Sequence, residues 1–213
     1  MYEWGDDRRF NSYSGYFRRT FGSRVQKLPV NAGFSCPNRD GTAGTGGCTF
    51  CDNGAFTPSY CMKGNDILWQ LREGIEFHHN RYRRADKFLA YFQSFSNTYA
   101  PLDELKEVYD AALSVPGVVG VVIGTRPDCV DSEKLDYFAE LARKHYVALE
   151  YGVESTNDET LRAINRGHDF TCARTAIEET SRRDINVGAH FILGLPSESD
   201  EMLLQQTGVI NSL

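Results

Sequence analysis

No part of the chain approaches the roughly 18 consecutive apolar residues that a membrane helix requires. The opening residues, from Met1 to Arg9, carry no apolar leader either. Both absences point to a cytoplasmic protein with no membrane partner. Positive charge is in deficit: 23 Lys and Arg stand against 29 Asp and Glu, a net charge of −6. That balance argues against indiscriminate coating of nucleic acid and leaves room only for a local basic patch. Proline is sparse, 7 in 213 residues, and nowhere do Pro, Gly and Ser gather into a linker. A single domain over residues 1–213 is the expectation.

Cysteine is scarce as well, and its placement is uneven. Three of the six, Cys61, Cys129 and Cys172, are scattered and read as buried or incidental thiols. The others, Cys36, Cys48 and Cys51, are separated by eleven residues and then two, in a loop rich in glycine. Without a secretory signal, clustered cysteines point to metal rather than to disulfides. Three convergent thiolates can hold an iron–sulfur cluster and leave one iron free for a small molecule. The competing reading adds Cys61 and makes a four-cysteine zinc site in a non-catalytic α/β binding module. Only one Cys-x2-Cys knuckle is present, whereas structural zinc sites usually pair two.

From residue 65 onward strand-like and helix-like segments alternate. Strands are expected near 25–32, 87–95, 118–123, 147–153 and 185–193. Helices follow from Asn65 or Asp66 to Tyr82, after Pro101, after Asp131 or Ser132, in one broken or two short pieces over 157–183, and from Asp200. Repeated βα units imply parallel strands with right-handed crossovers. A closed eight-stranded barrel needs about 250 residues. Five units therefore predict an open, partial TIM-like barrel that stops after the fifth, with a C-terminal part missing.

In parallel α/β folds chemistry collects at the C-terminal ends of the strands. Those ends read as the cysteine loop, Gln93–Thr98, Gly124–Asp128, Glu150–Ser155 and His190–Glu198, all polar or glycine-rich. Together with Ile164-Asn165-Arg166-Gly167-His168 they resemble radical S-adenosylmethionine (SAM) proteins, most closely the YhcC-like family related to the catalytic subunit of elongator. The eleven-residue cysteine gap is similar to that branch, where the wider superfamily has three. The resemblance runs from about Phe10 to Leu213.

That resemblance implies a [4Fe-4S] cluster on Cys36, Cys48 and Cys51, with SAM on the fourth iron, cleaved by one electron to a 5′-deoxyadenosyl radical. It also implies an external donor of flavodoxin or ferredoxin type. Residue by residue it puts Phe50 beside the adenine, Gln93, Ser94 and Ser96 at the methionine amino group, and Glu154 at the ribose. Arg166 would hold the SAM carboxylate, Leu193-Gly194-Leu195-Pro196 would lie along the adenosyl group, and Thr125 joins this cofactor set. Arg126, Asp128 and His190 are the candidates for contact with substrate. Duller readings stand beside these: Phe50 as core, Glu154 and Arg166 as an ordinary ion pair, His190 as a satisfied core histidine.

The N-terminal segment, residues 1–24, interleaves Tyr2, Trp4, Phe10, Tyr13, Tyr16, Phe17 and Phe21 with Arg8, Arg9, Arg18, Arg19 and Arg24. Such interleaving suits stacking on RNA, and tRNA is the partner that kinship with elongator implies. The preferred reading is an amphipathic segment closing one end of the barrel, its arginines reaching solvent. Arg81, Arg83 and Arg84 would extend a basic patch.

Overall fold

A computed structural model describes residues 1–55, 57–61, 66–82 and 85–213. Five strands, β1 (Val25–Val30), β2 (Lys87–Phe92), β3 (Val118–Thr125), β4 (Tyr146–Glu154) and β5 (Asn186–Phe191), form one parallel sheet in sequence order. Helix α1 (Tyr13–Phe21) precedes β1. The crossovers carry α2 (Ile67–Tyr82), α3 (Leu102–Leu113), α4 (Ser132–Ala142) and the pair α5 (Asp158–Ala163) and α6 (Phe170–Ser181). Helix α7 (Asp200–Ile210) follows β5. The expected five βα units of an open, partial barrel are all present. Asp66 is the α2 cap, its carboxylate accepting from the Trp69 amide at 2.8 Å. Asn65, the alternative cap, and Arg83 and Arg84 of the expected basic patch lie outside the described residues.

Alternation along each strand divides the sheet into two faces. One face packs Val30, Phe92, Val121, Ile123, Leu149 and Tyr151 against the helices and forms the main core. Leu105 and Tyr109 of α3 and Phe138 of α4 are fully buried there, at helical spacing. The opposite, concave face carries Lys27, Leu89, Tyr91, Val122, Ala148, Glu150 and His190, and it is interrupted by Gly120, Gly124, Gly152 and Gly188.

Lys27 of β1 reaches Glu150 of β4 at 2.5 Å, although β2 and β3 lie between their strands. Only a strongly curled sheet allows that contact. At the N-terminal ends of the strands, the hollow is plugged by α1. Its Phe17 is buried against Leu89, Val122 and Ala148, and Phe17 and Phe21 both meet the Tyr146 ring edge-on at 5.6 Å. Ser12 caps α1 by accepting from the Gly15 amide, and Gly22 ends it in the left-handed region (φ 71°). Helix α1 packs on the concave face through Phe17, with Arg18 and Arg19 exposed.

Candidate functional site

At the other, C-terminal end of the strands the hollow opens into a cavity of about 480 Å³. Cys36, Cys48, Cys51 and Phe50 line it from the loop after β1, and Gln93 and Ser96 line it from the segment after β2. Thr125 and Arg126 contribute from the end of β3, Glu154 from the end of β4, Arg166 from the turn after α5, and His190 from β5. Eleven of the residues singled out from sequence thus line one cavity. Phe95 and Glu154 both adopt left-handed backbone (φ 66° and 74°), a conformation costly for residues with a side chain. Strain sits at two of the strand ends that build the site.

The cysteine loop is held from far along the chain. Asn38, fully buried, donates through Nδ2 to the Asn165 carbonyl and to Cys48 Sγ, the latter at 3.5 Å. Asn165 returns a bond to the Gly47 carbonyl at 2.8 Å, and the Thr49 amide donates to the Ile164 carbonyl at 3.1 Å. Arg166 Nη1 lies 3.6 Å from Cys48 Sγ while Nη2 donates to the Gly152 carbonyl and stands 3.9 Å from Glu154. Arg126 fastens the same turn: it grips Asp128 with two bonds (2.8 and 2.6 Å) and donates Nη1 to the Arg166 carbonyl at 2.8 Å. A Cβ at Gly167 (φ 80°) would come within 2.9 Å of Asn38 Oδ1, so glycine is what lets the turn close on the loop. On the outer side Arg39 donates to the Cys51 carbonyl at 3.0 Å.

Other residues expected at the site stand apart from the cavity. Ser94, in the bend after β2, does not line the cavity and shares a hydrogen bond with Thr57 at 3.2 Å. Asp128 is engaged with Arg126 behind the wall. Leu193-Gly194-Leu195-Pro196 turns away just past Ile192, which does line the cavity. Leu195 is buried against Leu161 and Ile164, while the Gly194 and Leu195 amides donate to Glu198. Cys61 is buried elsewhere and donates to the Pro29 carbonyl at 3.1 Å; burial pushes its thiol up to about 12. The fourth thiol of the zinc reading therefore serves the backbone of β1. Burial likewise raises Cys129 to about 12 and raises Cys172.

Three further residues were not singled out from sequence. Tyr91, Glu150 and Lys27 form a polar group on the concave face below the cysteines, and Tyr91 and Glu150 line the cavity. Glu150 binds Lys27 through Oε1 and His190 through Oε2, at 3.2 Å. Burial would raise the Glu150 carboxyl, but the hydrogen bonds and charges of His190 and Lys27 outweigh it and hold the group down at about 2. Glu154 behaves oppposite in sign: burial dominates and raises it despite Arg166. The Lys27 ammonium sits over the rings of Tyr91 (4.3 Å) and Tyr13 (4.7 Å). The only sequence signal was Glu150 as a carboxylate inside an otherwise apolar strand.

A sequence model of the Radical SAM superfamily matches residues 40–205, most of the chain. The chain belongs to the radical SAM superfamily. It is 41% identical over 196 residues to protein YhcC of Escherichia coli strain K12, covering 92% of this chain and 62% of that protein. It is 35% identical over 207 residues to the protein YtqA of Bacillus subtilis strain 168, covering 97% and 64%. The chain thus spans just under two thirds of the length of these relatives. The solved Elp3 of the archaeon Methanocaldococcus infernus superposes with a TM-score of 0.63 at 18% identity, over 87% of this chain and 42% of that one, a likeness of fold.

Radical SAM membership implies SAM-dependent radical chemistry, and the donor set suits it. Thiolates are soft ligands fitted to iron–sulfur clusters. Cys36, Cys48 and Cys51 all line the cavity as free thiols. Arg166, which lines the cavity, has a buried Nε without a partner. At Gly152 a Cβ would stand 2.5 Å from Glu154 Oε1 and 2.8 Å from Arg166 Nη2, so glycine keeps the space between that pair open.

Proposed function

We propose that the chain is a radical SAM enzyme whose Cys36, Cys48 and Cys51 hold a [4Fe-4S] cluster and whose cavity binds SAM and substrate together. The observation that carries this reading is the meeting of the three loop thiols with Gln93, Glu154 and Arg166 in one cavity. When bound, cluster and SAM together supply a 5′-deoxyadenosyl radical after one-electron reduction by an external flavodoxin- or ferredoxin-like donor. The protein's own part is to bind, orient and exclude water. Arg166, already hydrogen-bonded to the Cys48 sulfur, offers a forked cation to a carboxylate. Glu154 offers hydrogen bonds to a sugar diol, Phe50 a ring face, and Gln93 and Ser96 acceptors for an ammonium group. Arg126 and Asp128 hold the Arg166 turn, and Leu193–Pro196 follows Ile192, the last residue of β5's end to line the cavity.

The substrate is proposed to lie lower in the cavity, against Thr125 and His190. The N-terminal arginines stand at the far end of the strands, which supports a closing role for residues 1–24 and a small substrate in preference to tRNA. Retention of labelled tRNA at low salt, lost as salt rises, would reverse that preference.

Anaerobic reconstitution tests the central reading. Iron and sulfide are expected in about equal amounts, and 5′-deoxyadenosine should form when SAM and a strong reductant are added. Alanine at Cys36, Cys48 or Cys51 should remove the iron, whereas Cys61→Ala, Cys129→Ala and Cys172→Ala should keep it. Equal iron loss from Cys61→Ala, or zinc without iron, sinks the proposal.

A further inference from the structure

Glu150, His190 and Lys27 lie on three different strands yet meet on the floor of the cavity. Glu150 is saturated: Lys27 and His190 bind its two oxygens, and Tyr91 and Tyr13 lie alongside, their phenols raised by burial and by the Glu150 charge. Lys27 is likewise enclosed between the Tyr13 and Tyr91 rings. His190 is the end of this chain and its half-exposed member, with 54% of its side chain accessible. Its Nε2 is committed to Glu150, and among the described residues its Nδ1 has no hydrogen-bond partner. Its partner in register is Gly152, over which the ends of Glu154 and Arg166 lie, and the Glu150 side chain lies over Gly188, where a Cβ would come within 2.9 Å. A buried carboxylate thus fixes one ring nitrogen, while the half-exposed ring lines the cavity.

We propose that His190 is a ligand-binding residue of the cavity floor, presenting Nδ1–H to an oxyanion, a carboxylate or phosphoryl group, of a small substrate, with Glu150 and Lys27 as positioning residues. The charges facing His190 agree with this. Glu150 and Glu154 on β4 favour the imidazolium, Lys27 on β1 opposes it, and the hydrogen bond to Glu150 leads, so the ring is raised above its ordinary value. An imidazolium whose Nε2–H is already taken has one donor left. The proposal takes from the preceding reading only that the substrate lies in this cavity. It needs neither iron nor SAM, so a failure to load the cluster leaves the test intact.

The test is a titration of the uniformly nitrogen-15-labelled chain with sodium acetate and sodium sulfate at constant ionic strength, followed by NMR. Both anions keep their charge above about pH 6. The His190 ring and the amide of Gly152 should show a saturable response with a dissociation constant in about the millimolar range. Affinity should fall about tenfold per pH unit above the His190 midpoint. His190→Gln should abolish the Gly152 response. Glu150→Gln should lower the His190 midpoint and weaken binding about tenfold at neutral pH, yet match the parent chain at acid pH, which a merely structural role would not do. Preference for acetate identifies a carboxylate, and preference for sulfate a phosphoryl group. No saturable response, a response that survives His190→Gln, or binding that tightens as pH rises would each overturn the proposal.

Discussion

At the N-terminal ends of the strands the concave face is closed by rings, Phe17, Phe21 and Tyr146, whereas at the C-terminal ends the same face is opened by Gly124 and Gly152 and lined with charge. The nine residues of β4 traverse both regions, roughly 30 Å at about 3.3 Å per residue. One end is held together by apolar contact that tolerates no gap. The other is held by hydrogen bonds to long side chains and loop carbonyls, which leave a void between them. The contrast explains how one curled sheet can be rigid enough to gather donors from five strands and still hold space for a ligand.

Removing the plug should have the largest effect on stability. Phe17→Ala empties a fully packed position and is expected to cost about 3–5 kcal/mol, seen as a lower urea midpoint. Iron bound per folded molecule should stay the same; a parallel loss of iron would mean that the two ends are not separable.

Next comes acid sensitivity at the polar end. The Glu150 carboxyl is held at about 2 against an ordinary 4.5, so its contribution is present above about 4.5 and is lost as pH falls through about 2. The increment is on the order of 3 kcal/mol. Lys27→Met should flatten the fall in stability across that window in denaturation series. An unchanged slope would mean that His190 alone holds the carboxylate.

Glycine substitutions sharpen the comparison further. A Cβ at Gly120, near the plug, would stand 2.1 Å from the Tyr146 carbonyl oxygen, a backbone atom that cannot step aside. Gly120→Ala should cost about 1–3 kcal/mol. At Gly152 the obstructing atoms belong to the ends of Glu154 and Arg166, so Gly152→Ala should fold nearly as well and lose SAM affinity instead. Equal midpoints for the two variants would erase the distinction. Smallest of all, Arg182→Ala removes exposed ion pairs to Glu178 and Glu179 on α6 and should change stability by less than about 1 kcal/mol.

The strands were legible because their residues are buried on both faces or alternate cleanly. Val118–Ile123 reads as a strand from VVGVVI alone, two residues short of the observed β3, and the broken helical stretch over 157–183 resolves into α5 and α6. The cysteine loop was legible because soft donors at such spacing have few other uses. What escaped was relational. Ser94 looked like its neighbours, but it lies in the bend after β2 and bonds Thr57. Lys27 and Glu150, 123 positions apart, carry no local mark of their pairing, which depends on how far the sheet curls. Asn38 was not singled out, although it is fully buried and ties two distant segments together.

That last tie has a temporal consequence. The thiol-bearing loop is latched by Ile164, Asn165 and Arg166, more than a hundred positions later in synthesis. A growing chain that has made only its first three strands therefore owns the sulfurs but not the latch that arrays them. Assembly of any inorganic centre there belongs after translation of the fourth strand and α5, and a delivery factor would meet an already folded scaffold.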